Sequence, residues 1–277
     1  MLKSLFVTIA AGCIAFSAQA QTLRTPAPSP SQMVKQDFGI SSVELNYSRP
    51  SMKGRKIFGD LVPFNQVWRT GANSATRLKF ADDVIIGGQM LKAGEYAVFT
   101  IPGEREWEII INKGTANWGT DYKQDLDLFR FKVPAMSLAA PVESFTIQFA
   151  NIKASSMDLQ IMWDRTAVNI PITVDVEKKV MAQIDQLMNK DNRPYFAAAM
   201  YYMDNNKDLN QALSWFDKAL EMNPNAYWMH YQRAVALSKL GRKADAMAAS
   251  AKSKELASKD GNNDYVRLNE KLQATLK

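Results

Sequence analysis

The apolar residues of this chain change their spacing once, near residue 175, and this change limits the folds that the chain can adopt. From about residue 33 to residue 174 they recur with a period near two, as in Val43, Leu45 and Tyr47, which is the period of half-buried β-strands. After Asp175 they recur every three or four residues, which is the period of an amphipathic helix. The sequence therefore predicts a β-rich domain over residues 33–175 and a helical domain over residues 176–277.

Glycine and proline residues mark turns between the predicted strands of residues 33–175. Residues 83–86 lead through Gly87 and Gly88 into residues 89–91, which is a strong hairpin signal. Short strands joined by such turns, with no long helical segment between them, indicate an antiparallel β-sandwich or a barrel-like domain. The pattern does not distinguish these two architectures.

The second part contains an internal repeat. Four positions recur after 34 residues: Ala212, Phe216, Ala219 and Pro224 become Ala246, Ser250, Ser253 and Ser258. This period, with small residues where helices approach closely, is similar to that of the tetratricopeptide repeat. Such stacks need about three repeats to bury a core, so we expect a helix after Asp175, which is a plausible N-cap, and a last helix over residues 264–276 to act as caps.

The first twenty residues have the features of a secretory signal peptide. Lys3 is followed by an apolar run over residues 5–16 and by Ala18-Gln19-Ala20, which predicts cleavage before Gln21. The alternative is lipidation at Cys13, because residues 11–13 form a partial lipobox. Both readings predict an exported protein, periplasmic or extracellular in the first case and lipid-anchored in the second.

Residues 21–32 contain alternating prolines and predict an extended tether. No other stretch approaches the roughly 20 apolar residues of a transmembrane helix. The chain has one cysteine, Cys13, and one histidine, His230, so we expect no cofactor and no metal site built from these residues. Residues 177–277 carry 16 cations against 12 anions, which is too weak an excess to predict nucleic-acid binding.

Several runs in the β-rich part resemble one bacterial family. They are residues 47–50, 54–59, 67–76, 93–96, 101–103, 118–119 and 125–130. These long motifs are similar to those of the domain of unknown function 2911, over about residues 38–175. The resemblance implies an exported β-rich domain, often followed by helical repeats, and it implies no activity.

Positive charge is concentrated between Arg49 and Lys79, where seven cations accompany a single acid, Asp60. Arginine binds oxyanions through its planar fork, and a neighbouring tryptophan and amide also suit sugars. The candidate ligand-binding residues are Arg49, Arg55, Trp68, Arg69, Asn73, Thr76 and Trp118. The alternative is a solvated face with ion pairs, in which Trp68 belongs to the core.

The repeats offer a second candidate site. By resemblance to other tetratricopeptide repeats, Tyr201, Trp228, Tyr231 and Lys239 line a concave groove. A groove rich in tyrosine and tryptophan fits peptide recognition. The alternative is that Trp228 and Tyr231 fill the contact between repeats.

Together these features predict an exported binding protein. The β-rich domain would hold a small, glycan-like or anionic ligand, and the repeats would dock a protein or peptide. The rival hypothesis is a carboxylate-based enzyme that acts on glycans, because a pair of acids alone can perform acid–base chemistry. Its candidate residues are Asp121, Asp125 and Asp127.

Overall fold

A computed structural model describes residues 25–115 and 121–277 of the protein. The chain divides into two compact units between Val174 and Asp175. The predicted signal peptide, its cleavage site before Gln21 and Cys13 lie outside the described residues.

The first unit contains nine described strands in one antiparallel sheet. They are β1 (Ser31–Phe38), β2 (Ser41–Ser48), β3 (Thr76–Phe80), β4 (Val84–Ile86), β5 (Gln89–Leu91), β6 (Gly94–Ile101), β7 (Glu106–Asn112), β8 (Asp127–Ala150) and β9 (Ser156–Thr173). Their order is β1-β2-β3-β6-β7-β8-β9-β4-β5, so the sheet is open and β1 and β5 are its ends. The predicted antiparallel class is confirmed. The predicted hairpin is also confirmed as β4 and β5, and both turn glycines have positive φ.

Strand β8 is unusually long because it serves two neighbours in turn. It pairs with β7 as far as Pro134 and with β9 from Ala135 onward. A second proline, Pro141, falls in a gap in the register between Ser137 and Val142. Proline has no N–H to donate to a ladder, so both prolines lie where pairing changes or lapses. The sequence pattern predicted separate short strands in this stretch.

Both parts of the sheet share one core. The Tyr47 ring of β2 lies edge-on to the Phe145 ring of β8, with centroids 5.9 Å apart. The Trp163 ring of β9 stacks on Trp68, which precedes β3, at 6.0 Å. Because β2 and β8 are far apart in the strand order, these contacts show that the sheet folds over on itself and encloses the rings between two layers.

The second unit contains six described helices, as expected for a tetratricopeptide-like region. They are α1 (Val176–Met188), α2 (Tyr195–Asp204), α3 (Leu209–Met222), α4 (Tyr227–Lys239), α5 (Lys243–Lys259) and α6 (Asn263–Leu276). The Asp175 side chain accepts a hydrogen bond from Lys178 N at 3.2 Å, which confirms the predicted N-cap. No described helix combines the length and apolar character needed to cross a lipid bilayer.

The 34-residue repeat has a packing basis. Phe216 of α3 and its equivalent Ser250 of α5 are both fully buried. Where the first repeat inserts an aromatic ring, the second builds a polar network: Ser250 Oγ donates to Asn269 Oδ1 at 2.9 Å, and Asn269 Nδ2 donates to Ser253 Oγ at 2.8 Å. A buried asparagine from α6 thus replaces aromatic packing in the second repeat, with its polar groups satisfied.

Candidate functional site

The segment from Trp68 to Thr76, which leads into β3, is held by hydrogen bonds at both of its ends. Trp68 and Thr100 exchange two backbone hydrogen bonds of 2.7 and 2.9 Å. The Trp68 indole Nε1 donates to Gly71 O at 3.1 Å, and Thr76 Oγ1 donates to Thr70 O at 2.5 Å. Thr70 is fully buried with φ of 55°. The residues between Trp68 and Thr76 therefore form a rigid turn, which positions the Arg69 that it contains.

The ring of Trp68 belongs largely to the core. It is half-buried, lies edge-on to Phe145 at 5.1 Å and Trp107 at 6.2 Å, and stacks on Trp163 with an interplanar angle of 16°. These contacts occupy much of its surface. Trp118, the other predicted stacking residue, lies outside the described residues.

Arg49 and Asn73 both lie next to Ser48: Arg49 follows it in sequence and Asn73 is hydrogen-bonded to it. Arg49 Nε donates to Phe145 O at 3.1 Å and its Nη2 donates to Thr146 Oγ1 at 2.8 Å. Asn73 Nδ2 lies 3.2 Å from Ser48 Oγ, to which it donates. Arg49 thus joins the end of β2 to β8, and Asn73 joins it to the turn before β3. These bonds use much of the hydrogen-bonding capacity of both side chains.

Arg55 is exposed and held by its own turn. Its Nε donates to Met52 O at 2.9 Å and its Nη2 donates to Ser51 O at 2.7 Å. Both acceptors are backbone carbonyls, so the charge has no acidic partner in these contacts. The structure gives no direct contact between Arg55 and the turn that carries Arg69.

Arg69 differs from the other two arginines. Its Nε is buried and has no hydrogen-bond partner among the described residues, and its side chain makes no described ion pair. A partly buried cation that lacks a partner is costly. Among the three candidate arginines, Arg69 is therefore the one whose Nε lacks an acceptor among the described residues.

A dense polar cluster lies at the start of β8, and the sequence analysis did not anticipate it. Arg130 Nη2 donates to Asp127 Oδ2 at 2.7 Å and to Tyr122 Oη at 2.6 Å. Tyr122 Oη donates to Asp127 Oδ2 at 2.6 Å, and Asn112 Nδ2 donates to Asp127 Oδ1 at 2.7 Å. Burial, assisted by the hydrogen bond to Asp127, raises the pKa of Tyr122 to about 12. Both oxygens of Asp127, one of the acids considered for catalysis, are thus engaged in holding this loop.

A pocket of about 580 Å³ lies beside the β4–β5 hairpin and was also not predicted. Its apolar walls include Ile85, Phe131 and Pro171. Gly87 closes one side with φ of 58°, and a Cβ there would lie 2.3 Å from the Phe131 ring. None of the candidate ligand-binding residues that the structure describes lines this pocket. The alternating pattern of the strands gave no signal for it, because it depends on the non-local pairing of β4 with β9.

The predicted groove residues lie at two levels of the helical unit. Lys239 Nζ, at the end of α4, lies 3.4 Å from Met203 O near the end of α2, where Tyr201 is also found. Burial raises the pKa of Tyr201, with a further contribution from the carboxylate of Glu177. Tyr201 and Lys239 are therefore at the same end of their helices.

Trp228 and Tyr231 lie nearer the start of α4. The Trp228 ring is edge-on to Tyr227 at 5.0 Å, and the Tyr231 ring is edge-on to Tyr265 of α6 at 5.7 Å. Both rings are half-buried. Trp228 and Tyr231 therefore lie towards the start of α4, whereas Lys239 lies at its end.

Two further polar features have structural roles. Residues 204–210 are rich in aspartate and asparagine, and among them Asp208 caps α3 by accepting from Asn210 N at 2.8 Å. His230 Nε2 lies 2.8 Å from Pro224 O and joins α4 to the preceding loop. In the described part of the chain, no three histidine, cysteine or acidic residues are grouped so that they could hold a metal ion.

Comparison with known proteins agrees with this division of the chain. No curated protein and no solved structure matches it. Residues 193–226, which contain α2 and α3, match the tetratricopeptide repeat. Residues 29–172, just over half of the 277, match a family described as a protein of unknown function, DUF2911. The chain therefore belongs to the DUF2911 family and carries a tetratricopeptide repeat after the family's domain.

Proposed function

We propose that this protein is an exported binding protein of the cell envelope, in which the helical unit docks a protein or peptide and the β unit holds a small anionic or glycan-like ligand. The observation that carries the proposal is the tetratricopeptide match over α2 and α3, because this repeat indicates protein–protein interaction. The β unit adds Arg69, whose buried Nε has no hydrogen-bond partner among the described residues.

The docking role is supported by the side chains that the helices leave partly exposed. Tyr201, Trp228 and Tyr231 are half-buried, and each keeps part of its ring accessible. Tyrosine and tryptophan are enriched where proteins bind one another, because they combine a large apolar surface with a polar group. Lys239 adds an exposed cation at the end of α4.

The anion-binding role rests on Arg69 and on the excess of cations in its stretch of sequence. Lys53 and Lys56, on the turn after β2, are exposed and belong to the same cation-rich stretch of sequence. The side chain of Arg69 is only partly buried, and an oxyanion could accept hydrogen bonds from the terminal Nη groups of its guanidinium. A carboxylate, a phosphate and an acidic glycan all supply such an oxygen.

Calorimetry on the full chain tests the ligand of the β unit. The probes are inorganic phosphate, citrate and an oligosaccharide of glucuronic acid, at low and high salt. We expect at least one probe to bind, more weakly at high salt because ions screen the charge. Arg69→Gln should abolish this binding, whereas the control Lys79→Gln, at an exposed position of β3, should retain it. Equal affinity of Arg69→Gln and the unaltered chain would exclude the proposed site.

Pull-down from envelope extract tests the docking role. We expect Lys239→Glu and Trp228→Ala to lose partners that the unaltered chain retains. The matched control is Lys271→Glu at an exposed position of α6. An identical set of partners for all four proteins would remove these residues from recognition.

Export is proposed from residues 1–20 and has its own test. Mass spectrometry of the protein isolated from its native cells should find Gln21 at the amino terminus. A lipidated Cys13 would instead establish an anchored form. An intact Met1 would contradict export.

A further inference from the structure

Two pockets lie along one edge of the helical unit, where the first helix of each pair begins and the second helix ends. The first, of about 440 Å³, lies between the start of α2 and the end of α3, and its apolar wall includes Phe196, Met222 and Met229. The second, of about 270 Å³, lies between the start of α4 and the end of α5, and Trp228 and Leu256 line it. Met222 is 65% exposed, so the first pocket opens to solvent.

The two pockets occupy equivalent positions in the two repeats. Adding 34 to Pro194 and Met222 of the first pocket gives Trp228 and Leu256 of the second. Arg193 likewise corresponds to Tyr227, so three lining positions are equivalent in the two pockets, and the other lining positions differ. An edge that repeats a concave apolar feature in this way can hold a ligand that itself repeats, such as a polypeptide.

The loop between α3 and α4 separates the pockets and offers amide groups on both sides. Asn223 lines the first pocket and Asn225 lines the second, and both are exposed. Neither side-chain amide has a hydrogen-bond partner among the described residues. Each carries donors and an acceptor, the groups that match a peptide backbone. The contact of His230 Nε2 with Pro224 O fixes this loop on α4.

Apolar side chains in the walls of the pockets suit apolar anchors. Arg193 is the charged residue of the first pocket, and it lies 3.3 Å from Tyr195 Oη, to which its Nη1 donates. In the second pocket, Lys259 and Asp260 carry opposite charges. Methionine side chains, such as Met222 and Met229, adapt to differently shaped apolar groups. Neither pocket therefore demands a charged side chain from its ligand.

We propose that an extended, uncharged peptide segment of a protein partner crosses the loop over residues 223–226, with one apolar side chain in each pocket and its backbone bonded to Asn223 and Asn225. This inference rests on the proposed docking role of the helical unit and names its partner chemistry. Packed helices lie about 8–10 Å apart, and an extended chain advances about 3.3 Å per residue. The two apolar side chains are therefore about three positions apart.

Fluorescence anisotropy with the full-length protein tests the inference. The probes are fluorescein-labelled ten-residue peptides of serine and threonine that carry two phenylalanines separated by one to six positions. We expect saturable binding that is tightest at a separation of about three, and at least tenfold weaker binding when one phenylalanine is replaced by serine. Met222→Lys and Leu256→Lys should each weaken binding at least tenfold, and Asn225→Ala severalfold.

Controls use exposed positions that line neither pocket. Met33→Lys, at a 69% exposed position of β1, should bind the peptides as the unaltered chain does, and so should Lys271→Glu, at an exposed position of α6. Circular dichroism establishes that each variant is folded, and Met222→Lys decides the result if Leu256→Lys is not, because Met222 is the more exposed of the two.

Three results would overturn the inference. They are an absence of binding by every peptide, equal binding by peptides with one and two phenylalanines, and unchanged binding by Met222→Lys. If Lys239→Glu alone loses binding, the docking role of the helical unit survives at the opposite end of α4 and the pocket edge is excluded.

Discussion

The two units of this protein fill their interiors with different residues. The β unit is packed by large rings from distant parts of the chain, such as Phe145 between Tyr47 and Trp163. The helical unit is packed by small residues that recur at fixed spacing, such as Ala212 and Ala246. A ring core depends on a few non-local contacts, whereas a stack of helices depends on many similar contacts between neighbours. A single substitution should therefore act on the whole β unit but only locally in the helices.

Removing one ring should have the largest effect. Phe145→Ala leaves a cavity beneath Trp68 and Trp163, and we expect it to lower the free energy of unfolding of the β unit by about 3–5 kcal/mol. Hydrogen exchange followed by mass spectrometry should show lost protection throughout the sheet and unchanged protection in α2–α5. The counterpart Phe216→Ala should reduce protection only in α3 and in the neighbouring helices that it packs against, α2 and α4, and leave the sheet unchanged. Equal losses in both units after either substitution would break the comparison.

A matched pair of glycines sharpens the account of the β unit. Both Gly87 and Gly88 have positive φ, so alanine is strained at either, at a cost of about 1–2 kcal/mol. At Gly87 the added Cβ would also meet the Phe131 ring, whereas at Gly88 it would meet open space. Gly87→Ala should therefore destabilise more than Gly88→Ala in urea denaturation, by about a further 1 kcal/mol. Identical midpoints would show that the ring moves aside freely.

The polar network between α5 and α6 tests the helical unit in the same way. Asn269→Ala removes a side-chain partner from both Ser250 and Ser253, and should cost about 1–3 kcal/mol. Replacing all three residues together, with Ser250→Ala, Ser253→Ala and Asn269→Leu, should cost less than the single change, because no buried hydroxyl then lacks its partner and the Tyr227 carbonyl loses only the Ser253 donor. Urea midpoints measure both proteins. A triple variant that is less stable than Asn269→Ala would contradict the argument.

The smallest expected effect is a change in how the stability of the β unit depends on alkaline pH, and it concerns Tyr122. Its pKa is raised to about 12, above the ordinary value of 10.0, so the folded state holds its proton more tightly than the unfolded state does. The corresponding stability is complete below pH 10 and is lost as the pH rises from 10 towards 12. Urea midpoints of the β unit between pH 9 and 11.5 should therefore fall, and less steeply in Tyr122→Phe. A slope unchanged by this substitution would assign the alkaline loss to other tyrosines.

Local patterns made much of the fold predictable. The change of period, the Gly87-Gly88 turn and the 34-residue repeat depend on neighbours in sequence, and each has its counterpart in the structure. The length of β8 did not follow from the sequence, because a proline such as Pro134 ordinarily interrupts a strand. Its position at the change of partner depends on the neighbouring strands, which a local pattern does not contain.

The candidate site was predictable in residue type but not in geometry. The cation-rich stretch of sequence drew attention to Arg49, Arg55 and Arg69 alike, although only Arg69 has a buried Nε without a partner. That difference depends on which carbonyls the fold brings to each guanidinium. The cluster around Asp127 was missed for the same reason, since Asn112 and Asp127 face each other only through the β7–β8 register. The one local sign of this cluster was Asn112, the polar residue that ends the apolar run of β7.

Because β8 belongs to both layers of the sheet, the polypeptide of the β unit cannot be divided within β8 without separating the two layers. A polypeptide that stops at Pro134 would leave β7 paired but would lack the whole of β9, and neither fragment would enclose the rings. A break in the exposed connection at residues 151–155 leaves β8 intact and interrupts only the loop that joins β8 to β9. Two fragments cut there should reassemble when mixed, whereas fragments cut inside β8 should aggregate.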